Sequence, residues 1–177
     1  MKLYLGCGER YIKGFVHIDI IDRPHIDHVS QIDDLSYILD SSVDLIYASH
    51  VLEHFKRASV NNVLQEWHRV LKPGGILRIA VPDFAKLCEV YQETGDLSLI
   101  IGPIFGRQNY LYNIHYNVFD YNTLKISLES VGFESIQRYD WTKTEHADVD
   151  DYSQSYIPHM DKKNGKLISL NVEATKR

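Results

Sequence analysis

The stretch Met1–Ile20, MKLYLGCGERYIKGFVHIDI, admits few folds. A short apolar run, Leu3-Tyr4-Leu5, breaks at Gly6-Cys7-Gly8, and a second apolar run, Phe15–Ile18, ends on Asp19. Glycines at 6 and 8 allow a sharp turn and a close approach of backbone to a ligand. An acidic residue at the end of the neighbouring strand can accept two hydrogen bonds from a ribose diol. Buried strand, glycine turn, second strand and terminal carboxylate together predict a doubly wound α/β sheet that binds a ribosylated cofactor.

The dinucleotide fingerprint fits this stretch poorly. G-x-G-x-x-G requires glycine at 11, where Tyr11 stands. Asp19 follows Gly8 well short of the about 20 residues typical of that pattern. Only Glu9–Gly14 separates the glycines from the second strand, too little for the helix N-terminus that holds a pyrophosphate. A nucleoside cofactor without phosphates makes no such demand, so a nicotinamide-dependent oxidoreductase ranks third among the readings.

The rest of the chain reads as one domain of alternating elements. Ile26–Val29 is a short strand candidate and Val43–Ala48 a clear one, β-prone and apolar between polar flanks. Ser59 is placed to N-cap a helix whose Val60, Val63, Leu64, Trp67, Val70 and Leu71 share one stripe. Lys72-Pro73-Gly74-Gly75 must end that helix. Ile76–Val81 is the next strand, and Pro82-Asp83 opens a helix with Leu87, Val90 and Tyr91 on one face. Between Gln92 and Asp120 no period survives; glycines punctuate an aromatic segment, Phe105–Tyr121, with the character of a binding loop or lid over residues 93–120. A helix from Tyr121 aligns Leu124, Leu128 and Val131 before Gly132, and Glu134–Trp141 reads as a strand. Residues 142–165 form a polar excursion. Leu167–Ala174 alternates as a last strand, with no helix before it, and so pairs antiparallel.

Lys and Arg number 19 against 24 Asp and Glu, a net charge of −5 that argues against a nucleic-acid partner. No apolar run approaches membrane-spanning length, no signal-peptide pattern opens the sequence, and Cys7 and Cys88 do not read as a bridge. The cytoplasm, without membrane insertion, is the expected setting. Ser49-His50-Val51-Leu52-Glu53-His54 places two histidines at i, i+4 after the clearest strand. Zincin metal binding requires H-E-x-x-H, whereas Glu53 here precedes the second histidine, so no metal is expected; lining of an active site comes first and capping of the next segment second.

Leu3-Tyr4-Leu5-Gly6-Cys7-Gly8 has the apolar-x-apolar-G-x-G form of the first motif of class I S-adenosylmethionine-dependent methyltransferases, which this chain resembles. Val43–Ala48, Arg69-Val70-Leu71-Lys72-Pro73-Gly74-Gly75 and Val131-Gly132-Phe133 recur in that family in the same order. The resemblance covers roughly Met1–Trp141 and the last strand, and is strongest to compact bacterial members associated with polysaccharide biosynthesis. Tyr4, where the family usually has an acidic residue, and the short first crossover depart from the pattern. The resemblance implies a Rossmann-like single domain with an antiparallel last strand. It implies S-adenosylmethionine as cofactor, with Gly6, Cys7 and Gly8 along its methionine part and Asp19 on the ribose. Ile20 would face the adenine, with Gln31, Ile32 and Asp33 at its edge, Gln31 and Asp33 competing for the polar contact. Ser49 and His50 would lie near the methyl group and the methionine amine.

The expected activity is methyl transfer to a small-molecule or sugar-type acceptor, through a hydroxyl. Such an acceptor calls for a general base, and His115 and His54 are the candidates, with Glu53 as an orienter. The alternative from another class is a cofactor-binding or partner-binding protein without catalysis.

Overall fold

The protein, described here over residues 1–177 by a computed structural model, is built on a mixed seven-stranded sheet. In chain order the elements are β1 (Lys2–Leu5), β2 (Val16–Asp19), β3 (His28–Val29), β4 (Val43–Ser49), α1 (Val60–Val70), β5 (Leu71–Pro82) and α2 (Phe84–Thr94). There follow α3 (Ser98–Phe105), α4 (Tyr121–Ser130), β6 (Phe133–Arg138), β7 (Tyr156–Ile157), β8 (Lys166–Leu167) and β9 (Ser169–Lys176). The sheet order is β3-β2-β1-β4-β5-β9-β6. Strands β3 to β5 run parallel, whereas β9 inserts antiparallel between β5 and β6. β7 and β8 form a separate small hairpin. The order reverses between β1 and β4, and at such a switch point the crevice beyond the strand ends binds ligands. No helix is long and apolar enough to cross a membrane.

Period-two alternation divides the strand side chains between two faces. Leu3, Leu5, Ile46, Ala48, Leu77, Ile79, Leu170 and Val172 all face the main core, where α1 and α4 cover them. α1 contributes Val60, Val63, Leu64, Trp67 and Val70. Trp67 is fully buried, and its indole N–H donates to the Ile32 carbonyl at 2.7 Å. That bond fixes the segment after β3 to the helix beneath it. The helix stops where proline and the glycine pair require, and Lys72–Gly75 makes an irregular excursion inside β5 before pairing resumes at Ile76.

The opposite face carries Tyr4, Cys7, Phe15, Leu45 and Tyr47, but no helix lies on it. Residues 142–155 cover it instead. The ring of His146 packs on Tyr47 and edge-on against Phe15, and Asp151 accepts a hydrogen bond from the Tyr47 hydroxyl. Arg78 pairs with Glu173 on β9 at 2.7 Å and with Glu145 of the excursion at 3.0 Å. Asn171 donates to the Ser153 carbonyl at 2.9 Å. The polar excursion therefore replaces the missing helices, and the polar face of β9 is buried against it at Ser169 and Asn171.

Several boundaries differ from the sequence reading. Ser59 makes no side-chain cap; a 3-10 turn over Arg57–Ser59 feeds α1 directly. Tyr91 is 46% exposed, because α2 buries only the Leu87 and Val90 stripe against α3 and Ile168. Residues 92–120 are not wholly irregular, since α3 lies within them; its all-round apolarity hides any period, and Pro103 falls within its last turn. Val131 caps α4 from beyond its end, and β6 stops at Arg138 because Asp140 caps a 3-10 turn at Trp141.

Candidate active site

A cleft of about 1390 Å³ opens over the C-terminal ends of β1, β2 and β4. Gly6, Cys7, Gly8, Asp19, Ile20, Gln31, Ile32, Asp33, Ser49, His50, His54 and His115 all line it. Of the site residues expected from sequence, Glu53 alone stands behind the wall, with no exposed surface.

The parallel register of β1 on β2 sets Leu5 beside Ile18, so the glycine turn meets Asp19. The Asp19 carboxylate is held at both oxygens: Gly8 N–H donates to Oδ2 and Ile21 N–H to Oδ1, each at 2.8 Å. Arg23 Nη1 also reaches Oδ1, at 3.5 Å, while Oδ2 keeps a further lone pair for a ligand. Gly6 adopts φ +62°, and a Cβ there would meet the Val51 methyls at 2.8 Å, so no other residue fits the turn. Cys7 lines the cleft beside the two glycines. Its side chain turns into the second core, where burial pushes the thiol up to about 12, leaving only backbone for a ligand. Gln31 and Asp33 are both exposed at the cleft edge, on either side of buried Ile32. The buried Ser49 hydroxyl at the end of β4 has no partner in the protein.

Beyond β4 the chain turns sharply at His50, at φ +54°, and enters a 3-10 turn over Leu52–His54. The loop after α3 folds back over it. Tyr116 N–H donates to the Glu53 carbonyl at 2.8 Å, and His54 Nδ1 meets the Ile114 carbonyl at 3.0 Å. His115 Nδ1 meets the Pro103 carbonyl at 2.8 Å, which ties the loop to α3. The rings of His54 and His115 lie edge to face, their centroids 4.7 Å apart. The loop thus lies over the strand ends, with His115 lining the cleft.

These groups avoid charge. Burial, together with the neighbouring His115, His54 and Arg10, pushes His50 down to about 3. Burial and His115 push His54 down to about 4, and burial lowers His115. Burial pushes Glu53 up to about 8. His50 Nδ1 lies 3.4 Å from Glu53 Oε1, but desolvation drives both toward neutral forms, so their contact is not a pair of formal charges.

Gly106 permits the loop's return. It lies at φ +74°, and a Cβ would meet the Asn113 carbonyl oxygen at 2.4 Å and the His115 ring at 3.2 Å. Gly106→Ala is expected to open this closure, at a cost of about 1–3 kcal/mol in local backbone strain. Faster amide exchange at Gln108 and His115, with α1 unchanged, would register it; unaltered exchange would show that the loop accommodates the methyl group.

Tyr152, within the polar excursion, is not among the site residues expected from sequence. It lines the cleft, with its ring centroid 5.5 Å from that of His50 and the Arg10 guanidinium 4.8 Å above its face. Nothing near it in sequence announces the cleft.

Residues 20–79 match the family model of a methyltransferase domain. No curated protein matches the chain in sequence. Among solved structures, a SAM-dependent methyltransferase from Archaeoglobus fulgidus superposes with a TM-score of 0.60 at 17% identity, covering 99% of this chain and 85% of that one. The 1,6-didemethyltoxoflavin-N1-methyltransferase of Burkholderia thailandensis, solved with 1,6-didemethyltoxoflavin and S-adenosylhomocysteine, gives 0.59 at 16% identity over 99% and 70%. A SAM-dependent methyltransferase from Methanosarcina mazei gives 0.59 at 16% identity over 99% and 91%. The fold is the one these S-adenosylmethionine-dependent methyltransferases share, and the domain match covers its central part.

Proposed function

We propose that the chain transfers a methyl group from S-adenosylmethionine to a hydroxyl of a small-molecule or sugar-type acceptor. The observation that carries the reading is the Asp19 carboxylate, clamped between Gly8 and Ile21 amides at the cleft wall with a lone pair of Oδ2 to spare. The residues fit the cofactor. Asp19 offers acceptors for a ribose diol, Ile20 an exposed apolar face for adenine, and Ser49 a buried hydroxyl that lacks a partner. Gln31 and Asp33 supply polar atoms at the adenine edge. When bound, the cofactor supplies an electrophilic methyl group on a sulfonium; the acceptor oxygen displaces it in line and the bonding pair stays on sulfur.

The chain's own contribution is alignment and a dry wall with proton-accepting atoms. His54 and His115 stand together on that wall, with Glu53 behind them, and their lone pairs are available to draw on an acceptor's hydroxyl proton. Tyr110, Tyr112 and Tyr116 border the same cleft and offer flat faces with hydroxyl tips, suited to a sugar-like ring. The B. thailandensis relative was solved with a small molecule beside the spent cofactor, which fits a small acceptor here as well. Two unpaired cysteines accord with a cytoplasmic setting.

Calorimetric titration with S-adenosylmethionine and NAD tests the reading. Asp19→Ala is expected to weaken S-adenosylmethionine binding about ten- to a hundredfold, the loss of about 1.5–3 kcal/mol from a charge-assisted hydrogen bond. Tighter binding of NAD, or undiminished affinity in a folded Asp19→Ala protein, would overturn it. Binding without production of S-adenosylhomocysteine from any hydroxyl-bearing acceptor would favour the non-catalytic alternative.

A further inference from the structure

The Glu53 carboxylate is completely buried, yet neither of its oxygens has a hydrogen-bond partner. Leaving such a group unpaired is costly, and an explanation lies in what surrounds it. Glu53, His54 and His115 each offer one atom within 4.8 Å of the other two. The hydrogen bonds of the imidazoles fix where their lone pairs point. A carbonyl oxygen only accepts, so His54 carries its hydrogen on Nδ1 toward Ile114, and His115 carries its own on Nδ1 toward Pro103. Nε2 of each ring is left as a bare acceptor, and that of His115 lies 4.0 Å from Glu53 Oε1.

His50 follows the same rule. Asn171 donates its amide N–H to the Ser153 carbonyl, so its Oδ1 faces Ser169 and accepts that hydroxyl's hydrogen. Ser169 can then only accept from His50 Nε2, at 2.9 Å, and His50 Nδ1 turns its lone pair on Glu53. The nitrogens that His50 and His115 turn on Glu53 are thus acceptors, and neither Glu53 oxygen meets a donor. A proton on Glu53 would serve one contact, the 3.4 Å approach to His50, and would leave the His115 Nε2 unmatched.

We propose that Glu53, His54 and His115 bind a divalent transition-metal cation at the cleft wall, its remaining coordination positions open to the acceptor. Two imidazoles and one carboxylate are a ligand set that first-row divalent metals accept, and imidazole disfavours magnesium and calcium. Each ligating histidine already donates its other nitrogen to a backbone carbonyl, the outer-shell arrangement that orients metal-binding imidazoles. His54 and His115 face the cleft while Glu53 closes the site from behind, so an acceptor can reach the cation. Its catalytic use rests on the methyl-transfer reading above. A hydroxyl on the cation loses its proton to water in the open cleft, the oxygen takes the methyl carbon, and the sulfur–carbon pair remains on sulfur. Charge suits this step: a dication and the Glu53 carboxylate leave one positive charge, which an alkoxide neutralises.

The sequence pointed elsewhere because it offered only the His50 and His54 pair. The fold supplies His115 in place of His50 and makes Glu53 a ligand instead of a neighbour.

The test uses full-length protein stripped with chelator, dialysed, and titrated with Co²⁺, Mn²⁺ and Zn²⁺. Calorimetry follows all three, and the visible absorption of Co²⁺ reports imidazole ligation. One ion per chain is expected, with affinity about 100-fold weaker in Glu53→Gln and in His115→Ala, at least the loss that outer-shell changes cause. Far-ultraviolet circular dichroism and S-adenosylmethionine titration of both variants verify that the fold survives. Should either fail to fold, His54→Gln and competition by Zn²⁺ for Co²⁺ in the wild type give the same reading. Wild-type protein that binds S-adenosylmethionine but none of the three ions would overturn the proposal and spare the methyl-transfer reading. So would undiminished Co²⁺ affinity in Glu53→Gln. Protein that holds Co²⁺ but no S-adenosylmethionine would do the reverse, and Asp19→Ala is expected to keep the metal while losing the cofactor.

Discussion

Replacing His115 with alanine is expected to lower methyl transfer by about 10²–10⁴-fold, the usual loss when a proton-accepting group leaves an active site, with affinity for S-adenosylmethionine nearly unchanged. The loss traces to one atom. With Nδ1 donating to the Pro103 carbonyl, Nε2 is the free acceptor beside Glu53, and it serves the acceptor hydroxyl directly or through a cation. Alanine removes that atom and leaves Glu53 and His54 with one neighbour fewer. Cofactor affinity should survive, because Asp19, Gly8 and Ile20 belong to the β1–β2 corner and not to the loop that carries His115. The measurement is S-adenosylhomocysteine formation against a panel of hydroxyl-bearing acceptors, sugars and catechols among them, with cofactor binding followed separately. Full turnover in the variant would remove His115 from the chemistry. Parallel losses in turnover and cofactor affinity would instead mark a collapsed loop.

The second large effect lies in the core. Trp67→Ala is expected to cost about 3–5 kcal/mol of unfolding free energy, in the range for deleting a large buried aromatic. Trp67 is fully buried in the cluster where α1 meets the sheet, and the space it leaves is bounded by strands that cannot close on it. Its indole also serves Ile32, whose carbonyl would lose its donor. Trp67→Phe separates the two contributions: it keeps most of the volume but leaves that carbonyl unpaired, at about 1–3 kcal/mol. Urea unfolding followed by circular dichroism gives both values, since the probe does not depend on the tryptophan removed. A loss below that of Trp67→Phe would show that the core repacks around alanine. Because Ile32 lies between Gln31 and Asp33, both variants should also loosen the cleft edge assigned to adenine.

The sequence determined whatever depends on near neighbours. Gly6-Cys7-Gly8 and Asp19 belong to successive strands that pair directly, so their meeting follows from two short runs and a turn. The stripe from Val60 to Val70 and the proline and glycines after it fixed α1 and its end, because helical period and termination are local properties. The antiparallel last strand was legible from its alternation and from the lack of a helix before it.

Tertiary structure decided what depends on loop closure or on the choice of face. α3 was hidden because an apolar helix enclosing a proline has no period to read. Cys7 turned to the second core because the left-handed turn at Gly6 breaks the alternation of β1 and puts its side chain beside Tyr4. The excursion over 142–155 became the cover of a sheet face because the short first crossover left that face without a helix. His50 and His54, neighbours in sequence, took different partners, the Ser169 hydroxyl and the Ile114 carbonyl. His115 reached Glu53 and His54 only when α3 and its loop folded back across the strand ends. No local pattern encodes that convergence: the energy of burying Glu53 among three imidazoles exists only once segments some sixty residues apart are packed together.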